Sequence, residues 1–397
     1  MNYLKWELKV FFINQKNIIL FALLLIASLY YCFYIAPTYQ PNEAVNKGEI
    51  EARYEERKEF LETVDIENST HYYTLFAIQI FPEWNEYDKE RLDALEKGDL
   101  HAYARATQEW YLYAVEMIRT DPFDVLRFNP RYYTYGNRFA KEDGHYNYLY
   151  TAERYGHYAI ADYKLDVNVL EERTALQTLK RMLESGLPYI LLLTCLLLSN
   201  DIVMKDRKHP SMVNGFPMTP FKRIILKGIV ALIGSLVSII LLIPAFLIIG
   251  LRNGFGSLDL PAVTYNFAFF NNETFESMSM GMYLLKYLAI VLLWFMLIIG
   301  LVLLMSILLK NEYFNLIIGV VCFVEIIYHQ RGWVPKEWLS YLPTSYVQIG
   351  DVLTGYKNYT LYTDALTPEK GFLVLLLTVI IVLLFIKVVI NKKKMTI

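Results

Sequence analysis

Apolar runs long enough to matter recur six times along this chain, at residues 17–36, 187–203, 224–251, 282–309, 313–328 and 371–390. Each approaches the ~20 apolar residues that a helix needs to cross the hydrocarbon of a bilayer, so the pattern predicts six membrane spans. Gly234 and Pro244 interrupt the third run. Proline is tolerated within a span where neighbouring helices satisfy the freed carbonyl, so a kink or a tightly packed helix is expected there. Ahead of the first run, Trp6, Leu8, Val10, Phe11 and Phe12 mix with Lys5, Glu7, Lys9 and Lys16. At helical spacing this is an amphipathic segment, which either lies along the inner membrane surface or simply anchors the first span. A cleaved signal peptide is disfavoured, because the first run is long and no small-residue cleavage site follows it.

Residues 37–186 have another character. Charged clusters such as Glu55-Glu56-Arg57-Lys58-Glu59 alternate with apolar positions at helical spacing, as at Leu92, Leu95 and Leu100, and glycine and proline are sparse. A mainly helical domain inserted between the first two spans is expected. Seventeen tyrosines fall in it, grouped as Tyr111 and Tyr113, as Tyr132, Tyr133 and Tyr135, and as Tyr146, Tyr148 and Tyr150. An apolar ring with a polar tip suits either a surface that meets amphipathic peptides or lipid headgroups, or a core with a half-buried shell. The fold class that follows is an all-α membrane protein of six transmembrane helices. Its parts are residues 1–36, the extracellular helical domain 37–186, and the remaining five spans in 187–397.

Composition sharpens this picture in two ways. Apolar residues make up 55% of the 397 positions, too many for an ordinary soluble domain of this length. The net charge of −2 conceals an asymmetry, since residues 37–186 hold 28 acidic and 18 basic side chains and the rest of the chain holds 12 and 20. A basic membrane portion and an acidic domain fit a cell-membrane protein with that domain outside and both termini in the cytoplasm, and nucleic acid is an unlikely partner in that setting. Cys32, Cys195 and Cys322 all lie in apolar runs, so no disulfide framework supports the domain.

The topology is fixed by residues 204–227, which join the second run to the third. Lys205, Arg207, Lys208, Lys222, Arg223 and Lys227 crowd there, and Pro217 and Pro220 break any helix through it. Positive charge beside span ends resists translocation, which places the segment on the cytoplasmic side. Its pattern is an acidic Asp206, then Pro217-Met218-Thr219, then Lys227 ten positions past the proline. This resembles the connector between the second and third spans of ABC-2 type transporter permeases, although Pro210-Ser211 stands where a Gly-Ser/Thr pair is common in them. Residues 337–346, within the polar stretch 329–370, are similar to the external re-entrant pair of short helices in the same family.

The resemblance implies a permease subunit of an ATP-driven exporter, paired with a second permease subunit as a homodimer or heterodimer. Cytoplasmic ABC ATPase subunits would carry the ATP and Mg and push on the connector through Asp206, Phe216, Pro217, Met218, Thr219 and Lys227. Phe216 and Met218 then serve as apolar knobs. The cargo expected is a hydrophobic or amphipathic peptide of the bacteriocin or toxin kind. No chemistry of the chain's own competes with this. G-x-x-x-x-G-K-[ST], H-E-x-x-H and G-x-S-x-G are all missing, and the histidines are scattered. The alternative is a membrane receptor or sensor whose tyrosine-rich domain binds a peptide or lipid. Lys286 and Glu325 lie within predicted spans at similar depth, so they either pair or reach separately to the headgroups.

Overall fold

A helix that is apolar on every side belongs in the middle of a bundle, and residues 280–309 have that composition. In the computed structural model, which describes residues 3–205, 218–268 and 273–393, they form the helix around which the apolar elements gather. The described fold is mostly helical. In chain order the first helices are α1 (Tyr3–Ile13), α2 (Gln15–Tyr30), α3 (Lys47–Thr63), α4 (Tyr72–Lys97), α5 (Leu100–Thr120) and α6 (Ala140–Ala159). Then come α7 (Ala175–Leu183), α8 (Leu187–Ser199), α9 (Pro220–Ile240), α10 (Ile243–Asn253), α11 (Met280–Leu309) and α12 (Leu316–Phe323), with α13 (Ile349–Leu353), α14 (Tyr356–Leu361) and α15 (Pro368–Lys393) closing the chain.

Four helical stretches are long and apolar enough to cross a membrane: Gln15–Thr38, Pro220–Asn253, Met280–Leu309 and Pro368–Lys392. Val167–Leu183 and Leu187–Ser199 together add a fifth candidate, bent by 64°. Exposed apolar stripes run down two of them, with Ile19, Leu23 and Ile26 on α2 and Leu373, Leu377, Ile381 and Leu384 on α15. Such stripes suit helices whose outer face meets lipid. The third run breaks at Leu241 and Leu242, with Pro244 in the first turn of α10, where its missing N–H costs nothing. Residues 313–328, read as a full span, divide into a 3₁₀ turn at Glu312–Asn315, α12, and a single turn at Glu325–Tyr328.

The polar unit is built on a short helical hairpin. Gly98 adopts the left-handed conformation that ends α4, and Asp99 caps α5 by accepting from the Ala102 N–H at 2.9 Å. Helix α5 lays Tyr103, Thr107, Trp110, Tyr111 and Ala114 against α4 and α6. Most of the clustered tyrosines answer as packing: Tyr111, Tyr132 and Tyr148 join Trp84, Trp110 and Phe128 in one aromatic core. Tyr72 and Tyr135 remain exposed.

The all-helical expectation needs one correction. Residues 252–280, between the third and fourth apolar runs, contain an antiparallel hairpin of β1 (Pro261–Asn266) and β2 (Thr274–Ser279), registered from Pro261 opposite Ser279 to Asn266 opposite Thr274. It forms because it has a dock: the Tyr265 N–H donates to Thr354 O at 2.8 Å, and Gly355, at φ +72°, lets the backbones meet. Between α12 and α15 the chain forms two 3₁₀ turns, Glu337–Tyr341 and Pro343–Tyr346, followed by α13 and α14.

Candidate functional site

The connector's two ends are where sequence and structure can be compared. Asp206, Phe216 and Pro217 lie outside the described residues. Met218 precedes Thr219, whose hydroxyl caps α9 by accepting from the Lys222 N–H at 3.4 Å, with Pro220 in the first helical turn. Thr219, Arg223 and Lys227 then recur every four residues, which puts them on one face of α9.

That face does not look outward. Helix α1 packs against it, presenting Tyr3, Glu7 and Phe11, again four apart. The Lys227 ammonium sits 2.6 Å from Glu7 Oε1, and the Tyr3 hydroxyl donates to the same oxygen at 2.5 Å. Glu7 and Lys227 are 4% and 1% exposed. Two charges so fully withdrawn from water hold only as a hydrogen-bonded pair. Phe11 completes the contact by covering Gly234, where an added Cβ would come within 2.3 Å of its ring. Lys227 and the buried Arg223 are therefore turned into the bundle. Arg223 Nε and Nη1 have no hydrogen-bond partner among the described residues.

The other end of the connector is held from the same region. Lys16, in the first turn of α2, places its ammonium 2.6 Å from Asp201 Oδ1 and 2.7 Å from Leu197 O, and Lys205 reaches Asp201 Oδ2 at 3.1 Å. Asn17 donates back to Phe11 O at 2.9 Å and fixes the elbow between α1 and α2. Thus Asp201 is tied to Lys16 and Lys227 to Glu7. The segment 3–16 bridges the exit from α8 and the entry to α9.

A second polar cluster lies at the opposite end of α8. Glu325, 1% exposed, accepts from the Tyr189 hydroxyl at 2.6 Å and from Lys357 Nζ at 3.1 Å, and His329 Nδ1 stands 3.6 Å away. Lys286 is 3.7 Å from Glu369 and half-buried. The pairing of Lys286 with Glu325 is thereby corrected. The side chains point to different sides of the bundle, one to the start of α15 and the other to α8. Near this cluster, burial and then the Glu184 charge push the Asp351 carboxyl up to about 7. Above it, Asp143 of α6 pairs with Arg331 and accepts from Tyr359 at 2.8 Å and from Thr134 Oγ1 at 2.7 Å. Burial alone would raise the Asp143 carboxyl, but these bonds outweigh it and hold it below its ordinary value.

No family model, curated protein or solved structure matches the chain. What the arrangement can do must be read from its contacts. Displacing the connector loads two ion pairs that both end on α1 and α2, so motion there reaches the body of the bundle. Glu7, Lys16 and Asp201 as partners escaped the sequence reading, although one signal was present. Glu7 falls between Tyr3 and Phe11 on an otherwise apolar helical face, where an acid needs a buried cation.

Proposed function

We propose that the chain is the membrane subunit of an ATP-driven exporter of the ABC-2 permease type. In this reading it has six spans and cytoplasmic termini in the cell membrane, with residues 37–186 outside. It pairs with a second permease subunit, identical or different, and takes its power from cytoplasmic ATPase subunits that hold ATP and Mg. The cargo is a hydrophobic or amphipathic peptide. The observation that carries the reading is the double tie of the connector, Asp201 to Lys16 and Lys227 to Glu7. A segment that only set orientation would have no need for an ion pair at each of its ends, one of them fully buried. Replacing Phe216 and Met218 with Asp should leave the chain in the membrane and uncouple ATP hydrolysis from export. Unchanged export would refute the assignment.

One observation favours a second reading, a membrane receptor. A cleft of about 880 Å³ opens in the polar unit beside the β-hairpin, lined by aromatic side chains including Tyr146, Tyr265 and Phe275 and by Arg119 and Arg127. An aromatic wall with a few charges is what an amphipathic ligand requires. The two readings separate on purification, since an exporter subunit brings down an ATPase and a receptor brings down a kinase or nothing.

A further inference from the structure

The helices of the polar unit do not close on a wholly apolar axis. Between α3, α4 and α5 lies a polar cavity of about 50 Å³. That is more than the ~10–15 Å³ one water needs, yet far too small for a peptide or nucleotide. Thr107 and Trp110 of α5 line it, as do Arg91 of α4 and Arg53 of α3.

The wall offers donors that nothing accepts. Among the described residues Arg91 Nε, Thr107 Oγ1 and Trp110 Nε1 have no hydrogen-bond partner, and these residues are 7%, 1% and 8% exposed. Arg53 Nε, on the same wall, also lacks a hydrogen-bond partner among the described residues. Buried polar groups in native proteins are rarely left unmatched, so a group of them around one space calls for an acceptor within it. The carboxylates nearby are already engaged. Glu43 accepts from Tyr132 at 2.6 Å, Thr151 at 3.0 Å and Arg154 at 2.9 Å, and Glu49 is paired with Arg53 at 3.1 Å. Asp88 is shared among three guanidiniums, Arg57 at 2.8 Å, Arg91 at 3.0 Å and Arg53 at 3.9 Å.

We propose that this cavity is a small-anion site, occupied by a single halide, with chloride the natural one, that accepts from Trp110, Thr107 and Arg91. The carboxylates that line the cavity, Glu43 and Glu49, are engaged by their own donors, which leaves the unmatched N–H and O–H groups to a guest that only accepts, as a halide does. The guanidiniums crowded on Asp88 supply the positive potential that an anion requires. Arg53, with a side chain 32% exposed, marks the side open to entry. Bound there, the ion would join α3, α4 and α5.

The test uses the full chain in detergent. Crystals grown in bromide should show an anomalous peak within hydrogen-bond distance of Trp110 Nε1. Replacing gluconate by chloride at constant ionic strength should raise the Tm to a plateau. Trp110→Phe keeps a ring and removes the N–H, and Thr107→Val removes the hydroxyl; whatever its Tm in gluconate, each should lose the rise on adding chloride. If a variant does not fold, the bromide experiment on the unaltered chain still decides. Absence of the bromide peak, water alone in the cavity, or an equal chloride response in both variants overturns the site.

Discussion

Glu7 and Lys227 are separated by 220 positions and meet inside the bundle at 2.6 Å, each supplying the other's counter-charge. Breaking a buried pair by removing one partner typically costs about 3–5 kcal/mol, while replacing both by apolar groups of similar size is often nearly neutral. Lys227→Met alone should therefore destabilise the detergent-solubilised chain by about that amount in denaturant unfolding, and Glu7→Leu with Lys227→Met should recover most of the loss. Asp351 gives a pH signature. Its carboxyl titrates near 7 in the folded chain against an ordinary 3.8, so between those values the folded state binds the extra proton and stability falls as pH rises. Asp351→Asn should flatten the pH dependence of the Tm across that window, and an unchanged slope would remove Asp351 as its source. At this scale sequence reasoning missed direction. Lys286 and Glu325 were read at similar levels, but rotation about each helix axis depends on packing that no local pattern encodes. Their actual partners are Glu369 and Lys357.

Among the elements, the seat of α1 on α9 is the most specific contact. Gly234 leaves room for the Phe11 ring, and a branched side chain there would occupy the same space. Gly234→Val should unseat α1 at a cost of about 1–3 kcal/mol. Limited proteolysis between α1 and α2 reads this out, with faster cleavage expected in the variant and equal rates arguing against the contact. The helices of α2, α11 and α15 were legible because uninterrupted apolar runs leave a chain few alternatives. The break before Pro244 was legible for the same chemical reason that proline lacks an N–H. The β-hairpin was not. Its strands are short and its faces weakly alternating, and it is secured by distant partners, Thr354 and Gly355, which lie some ninety positions away from Tyr265. The elbow held by Asn17 was likewise hidden, because a polar residue between an amphipathic helix and an apolar one resembles an ordinary span boundary.

For the molecule as a whole, the apolar helices gather around α11, the acidic helical unit stands at one end, and the two described ends of the connector with their ion pairs lie at the other. The division between an acidic middle and a basic remainder was visible in the sequence. The membrane character was visible too, with four apolar helices long enough to cross and a fifth, bent candidate. Which side each end faces is the claim on which the exporter reading depends. It can be examined with little background, because Cys32, Cys195 and Cys322 are all free and buried. Met218→Cys, made at the connector, should resist a membrane-impermeant thiol reagent on intact cells and react once the cells are permeabilised. Labelling of that cysteine on intact cells would put the connector outside and contradict the account.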